Sequence, residues 1–135
     1  MLTTIIIWSL MLNFDQDGID AYRWKNRIII QFVEEYSVYD KKYWRKYEQP
    51  LKERDIVVFI VSLKKNQMLS LYDELESVEA KPLIEQFDKE KVSKMILIGK
   101  DGGQKWEGSL HENPQFIFDK IDTMPMRQSE LNQRN

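Results

Sequence analysis

Glu34-Glu35-Tyr36-Ser37-Val38 sets two carboxylates, a phenol and a hydroxyl side by side, and Tyr39 follows one residue later. Those types could serve acid/base chemistry, with Ser37 as an oxygen nucleophile. A serine needs a base to remove its proton, and no such base stands near it in sequence. The chain has a single histidine, His111, in Leu110-His111-Glu112-Asn113. Without a second histidine or a cysteine it has no companions for a transition-metal site and reads as a surface-loop residue. Asp73, Glu74, Glu76 and Glu79 invite an acid/base or calcium reading. Calcium loops alternate oxygen ligands around a glycine, and this segment has none. These acids suit the solvated face of a helix whose apolar face is Leu71, Leu75 and Val78. No metal and no cofactor is expected.

Aromatic and cationic residues interleave between Tyr36 and Tyr47: Tyr36, Tyr39, Tyr43, Trp44 and Tyr47 with Lys41, Lys42, Arg45 and Lys46. Such a mixture can stack bases and bind phosphates. On a helical wheel the aromatics share one arc and the cations the opposite one, the pattern of a helix with rings on a sheet and charges in water. Asp101-Gly102-Gly103 is either a backbone anion nest or a hairpin turn, and the flanking strand patterns favour the turn. Trp24, between Arg23 and Lys25, is expected to anchor the lead-in segment against the sheet. Trp106 alternates with charged neighbours and should pack inward or against the last helix.

The 135 residues suffice for one domain with a real core. There is no cysteine, which removes disulfides, thiolate metal sites and all thiol chemistry. Lys and Arg number 20 against 22 Asp and Glu, a net charge of −2 without the basic excess of a nucleic-acid module. A protein or small-molecule partner is expected instead. Residues 1–14 carry no charge and are mostly apolar from Leu2 to Leu12, too short for a membrane span. They read either as a degenerate export signal or as an N-terminal strand or helix packed on the domain; the first would place the protein in the periplasm or outside the cell, the second leaves the cytoplasm open. The stable domain is expected over 15–127, with a frayed polar tail at 128–135.

The elements that must position these residues follow from periodicity. Ile28–Val33, Ile56–Val61 and Met95–Ile98 are short, β-branched, almost wholly apolar runs, as in strands buried on both faces. A helix is predicted over Val38–Arg54, ended or kinked by Pro50. Two weaker helices should lie between the second and third runs, one on Leu71, Leu75 and Val78, the other on Leu83, Ile84 and Phe87 with Pro82 in its first turn. A hairpin at Lys100–Gly103 leads to a fourth strand, Gln104–Gly108. Asn113-Pro114 then caps a helix buried through Ile117, Ile121 and Met124, with Pro125 at its end. The expected core is Ile28, Ile30, Phe32, Val57, Phe59, Val61, Ile96, Ile98, Ile117 and Ile121. A β-α-β unit followed by β-β-α is the thioredoxin arrangement: an α/β sheet of strand order 2-1-3-4 with helices on both faces.

Three segments carry a family resemblance. Leu97-Ile98-Gly99-Lys100-Asp101-Gly102-Gly103-Gln104-Lys105, Ile121-Asp122-Thr123-Met124-Pro125-Met126-Arg127 and Tyr22-Arg23-Trp24-Lys25-Asn26-Arg27 resemble the bacterial domain of unknown function 4174. The motif residues are Trp24, Arg27, Gly99, Lys100, Asp101, Gly102, Gly103, Pro125 and Arg127. The resemblance implies a thioredoxin-like, peroxiredoxin-related fold, an export signal, and kinship with the C-terminal domain of sushi-repeat extracellular-matrix proteins; it implies no established activity.

A thioredoxin-fold oxidoreductase needs a thiolate where the first helix begins, since the helix N-terminus stabilises the anion. Here that place is Glu34–Val38. It also needs a proline before the third strand, where this chain reads Val92-Ser93-Lys94-Met95. Thiol exchange and thiol peroxidase activity are therefore excluded. What remains is a non-catalytic binding or structural domain, or an enzyme using carboxylate and hydroxyl chemistry at Glu34, Glu35, Tyr36, Ser37 and Tyr39.

Overall fold

A computed structural model describes residues 18–71 and 78–134. The segment 1–14 lies outside them, as do Asp73, Glu74, Leu75 and Glu76. A 3-10 turn, Gly18–Tyr22, leads into strand β1, Arg27–Val33. Helices α1, Val38–Arg45, and α2, Glu48–Glu53, connect it to β2, Ile56–Ser62. Then come β3, Gln67–Ser70, β4, Val78–Glu79, and helix α3, Lys81–Phe87. The hairpin strands β5, Lys94–Ile98, and β6, Gln104–Gly108, precede helices α4, Pro114–Asp122, and α5, Pro125–Arg134.

These strands form one mixed sheet in the order β4-β3-β2-β1-β5-β6. β1 and β2 are parallel, with Ile28 opposite Val57 and Phe32 opposite Val61. β5 runs antiparallel to β1, placing Lys94 beside Phe32 and Ile98 beside Ile28. The three strands expected from the apolar runs and the one expected after the hairpin are adjacent in the expected order, and Ile56–Val61 lies inside the sheet. Both faces are covered. Ile28, Ile30, Phe32, Phe59, Val61, Ile96 and Ile98 pack with Leu83 and Ile84 of α3. On the other face Ile29, Val58, Ile60, Met95 and Leu97 pack with Trp44, Leu51, Ile117, Phe118 and Ile121. Alternation along a strand sends neighbouring side chains to opposite faces, so runs without polar interruption require this double cover. Of the ten expected core residues only Val57 is less than buried; it packs half-exposed against the α3-side cluster.

Several local expectations are corrected. Of the helix expected on Leu71, Leu75 and Val78, Leu75 lies outside the described residues, Leu71 directly follows strand β3, and Val78 stands in strand β4. Asn66 takes a left-handed φ of 55° in the turn between β2 and β3, a conformation asparagine tolerates. Met68 and Leu71 are buried in clusters on opposite faces of the sheet. Of the two alternatives for Pro50, an end or a kink, the structure has the interruption without the end: Pro50 sits in the first turn of α2. Lacking an N–H for the Lys46 carbonyl and crowding that carbonyl with its ring, it breaks the predicted helix into α1 and α2 instead. The segment 128–134, expected to fray, is part of α5. The connection Gly99–Gly103 between β5 and β6 is longer than a two-residue turn. In it Gly102 has a φ of +87° and its N–H donates to the Gly99 carbonyl.

Candidate functional site

The end of β1 delivers Glu34, Glu35, Tyr36 and Ser37 to the start of α1. Ser37 is the N-cap of that helix. Its Oγ accepts from the Tyr39 N–H at 3.3 Å, while its own N–H donates to Asp40 Oδ2 at 2.7 Å, a reciprocal capping box. Its backbone is extended, with no strain to sharpen the hydroxyl. Glu34 and Glu35 are exposed; Glu35 pairs loosely with Lys65 at 3.4 Å and Lys64 at 3.9 Å, and the Glu34 carbonyl accepts from Ser62 Oγ. Tyr36 is half-buried against the core, whereas Tyr39 is 74% exposed. The tyrosine row is therefore split: Tyr36 and Tyr47 pack against the core, while Tyr39 and Tyr43 are exposed. Trp44 is 1% exposed, and its Nε1 donates to Gln31 Oε1 at 2.6 Å. The buried indole N–H and the Gln31 amide oxygen satisfy each other, which explains a glutamine in an otherwise apolar run. Burial, then the neighbouring Tyr47, pushes the Tyr43 phenol above its ordinary value, so it stays protonated near neutrality. Ser37→Ala should cost about 0.5–2 kcal/mol through the lost cap; urea denaturation of the variant reads this directly.

The motif residues gather at the opposite end of the sheet, where β1 and β2 begin and β5 ends. Arg27 is 2% exposed; its Nη1 donates to the Arg54 carbonyl at 2.9 Å and to Glu130 Oε2 at 3.1 Å. Lys100 Nζ bonds Asp55 Oδ2 at 2.9 Å and also Glu130 Oε1. Arg127 Nε donates to Asp122 Oδ1 at 3.1 Å and Arg127 Nη1 to the Glu53 carbonyl at 2.9 Å. Arg54 grips both Asp122 oxygens, at 3.0 and 2.8 Å, and lies over the Phe118 ring. Burial alone would raise the Asp122 and Glu130 carboxyls. Hydrogen bonds from Arg54 and Arg127 to the first, and from Lys100 and Arg27 to the second, outweigh it and hold both below their ordinary values. Each buried cation here already faces carboxylates or carbonyls, so the cluster works as a clasp fastening α5 to the sheet.

The glycine turn completes that end. Asp101 Oδ1 accepts from the Gly103 N–H at 2.9 Å and Oδ2 from Lys105 Nζ at 2.7 Å. The Gly102 and Gly103 N–H groups are both engaged inside the turn, which favours the turn over the anion nest. The Trp24 N–H donates to the Lys100 carbonyl at 2.6 Å, tying the lead-in to the motif. Its indole, expected to pack on the sheet, is instead 66% exposed, because a φ of 69° turns the side chain outward. Trp106 packs toward α4, its ring 6.2 Å from that of Phe116. His111 is exposed in a turn after β6.

Arg54, Asp55, Asp122 and Glu130 were not apparent as site residues from sequence. The available signals were an Arg-Asp pair abutting the apolar run at Ile56, and the i,i+3 spacing of Arg127 and Glu130. Among the described residues no group of three or more acidic or imidazole side chains could hold a metal, and no helix is long and apolar enough to cross a membrane.

No curated protein and no solved structure matches the chain. The family model for DUF4174, described as a domain of unknown function, matches residues 18–130, which include the motif turn, the lead-in and the α5 clasp. This cysteine-free chain belongs to the DUF4174 family.

Proposed function

We propose that the domain is a non-catalytic thioredoxin-like module that binds a protein or small-molecule partner, or holds a larger assembly together, in the periplasm or outside the cell. The strand order and the helices on both faces support the fold reading. The observation that carries the functional reading is Ser37. It occupies the helix start where such a fold would need a thiolate, and its hydroxyl is spent on capping α1. Glu34 and Glu35 beside it stand exposed to water, with no burial around them. The exposed start of α1, with Val38 and Tyr39 outward beside Glu34 and Glu35, supplies an amphipathic contact surface.

The test is turnover. The purified protein is offered hydrogen peroxide and a panel of activated esters and phosphoesters, alongside a Glu34→Gln/Glu35→Gln/Ser37→Ala variant. No turnover above buffer is expected from either; peroxide consumed by the parent at enzyme-like rates, with all methionines unoxidised by mass spectrometry, would overturn the non-catalytic reading. Turnover by the parent that the triple variant abolishes would establish the carboxylate and hydroxyl enzyme instead.

A further inference from the structure

Asp88 ends α3 and is buried, 2% exposed, where a carboxylate at a helix C-terminus faces the unfavourable end of the dipole. Its Oδ1 accepts from the Val92 N–H at 3.0 Å, closing the turn into β5. Its Oδ2 has no hydrogen-bond partner, the sole buried side-chain polar atom in that condition among the described residues. Native proteins rarely leave such an oxygen orphaned, and the cost is larger for a charged group.

Asp88 is one of the residues lining an open cleft of about 440 Å³ between the end of α3 and the β5–β6 edge. Lys94 and Glu107 project into it from the two strands. The ammonium of Lys94 sits 2.8 Å from Glu107 Oε1 and 3.8 Å from Asp88 Oδ1, so it is committed to Glu107 and only skirts Asp88. Phe87 and Val92 give the cleft an apolar wall. Burial, with Glu107 and Glu90 nearby, pushes the Asp88 carboxyl above its ordinary value against the pull of the Val92 N–H and Lys94.

We propose that this cleft binds an alkyl chain ending in a guanidinium or ammonium group, with an N–H of that group donating to Asp88 Oδ2 and the alkyl stem lying along Phe87 and Val92. Three carboxylates, on Asp88, Glu90 and Glu107, outnumber the ammonium groups of Lys89 and Lys94 around it. An anion would meet that excess at a loss. A bare metal ion would sit against the Lys94 ammonium. An organic cation brings its own directional donors, satisfies the orphan oxygen and can share Glu107 with Lys94. The cleft lies on the α3 face of the sheet, so the inference stands whether or not Ser37 has chemistry.

The test is an amide-resolved NMR titration of the full chain with two probes: free agmatine, and a blocked Gly-Arg-Gly peptide. Saturable shifts at Val92 and Glu107 are expected with at least one. Agmatine alone would identify a free small molecule as the source, the peptide alone an arginine side chain of a protein. Asp88→Asn keeps an acceptor for the Val92 N–H but presents an amide N–H₂ where Oδ2 stood, and should weaken binding about tenfold or more. Lys94→Met removes the competing ammonium and should tighten binding, which keeps the test decisive if Asp88→Asn does not fold. Binding should also weaken as the pH falls through the raised Asp88 titration. Absence of saturable shifts with both probes at millimolar concentration overturns the proposal, as does unchanged affinity in Asp88→Asn or no tightening in Lys94→Met.

Discussion

Glu130→Ala is expected to destabilise the domain by about 3 kcal/mol, the lower end of the range for breaking a buried pair. The loss falls chiefly on Arg27, whose guanidinium is buried and would keep only the Arg54 carbonyl. Lys100 would retain Asp55, and Arg127 would retain Asp122, which keeps the cost from running higher. Glu130→Gln preserves shape while removing charge, so the difference between the two variants separates the ion pair from packing. Urea denaturation monitored by tryptophan fluorescence gives the values, and a change under about 1 kcal/mol, the scale of a surface pair, would show that α5 is not clasped.

The same cluster sets the acid limb of stability. Glu130 and Asp122 titrate below their ordinary values when folded, so the unfolded chain takes up protons first as the pH drops. Their contribution is complete above the ordinary carboxylate range and is lost as the pH falls through the depressed folded values. Asp88 acts with the opposite sign: its raised folded pKa means that its ionisation opposes folding, and this penalty is relieved as the pH falls. Glu130→Gln should therefore flatten the acid limb, and a stability profile over pH unchanged by that substitution would contradict the clasp.

Phe59→Ala should cost about 3–5 kcal/mol. Phe59 is buried in β2, between β1 and β3, and its ring meets that of Tyr22 edge-on at 5.4 Å. Truncation opens a void that the paired strands on either side cannot collapse into, because their register is fixed by hydrogen bonds. Val57→Ala, on the same face of the same strand but half-exposed, should cost distinctly less. Equal midpoints in urea for the parent and Phe59→Ala, at unchanged slope, would remove Phe59 from the core.

Legibility differed sharply between residues of one type. Ile28 and Val61 were readable as core because an apolar run bounded by turn signals has few other fates. Tyr39 and Trp44 were not separable: both lie in the aromatic arc of α1, and only the helix's rotation on the sheet decided that the indole reaches Gln31 while the phenol faces water. The hairpin at Asn66 is silent in sequence because its turn, Leu63-Lys64-Lys65-Asn66, lacks the glycine that marks such turns. Trp24 reads as an anchor by composition, yet a single left-handed backbone angle points it outward.

The amino-acid sequence by itself determined four of the six strands, the double cover of the sheet, the absence of thiol chemistry and the family. Each of these depends on local residue type or short-range period, and burial of an apolar run is favourable wherever it lands. The tertiary structure alone decided which charges meet. Arg27 and Glu130 are 103 residues apart, and Lys100 and Asp55 are 45 apart. Each such residue, taken in sequence, belongs on a solvated surface. Only the convergence of the starts of β1 and β2, the end of β5 and helix α5 at one pole of the sheet turns them into a buried clasp. By the same logic, the carboxylate at the end of α3 becomes the orphan of the opposite pole once β5 and β6 close over it.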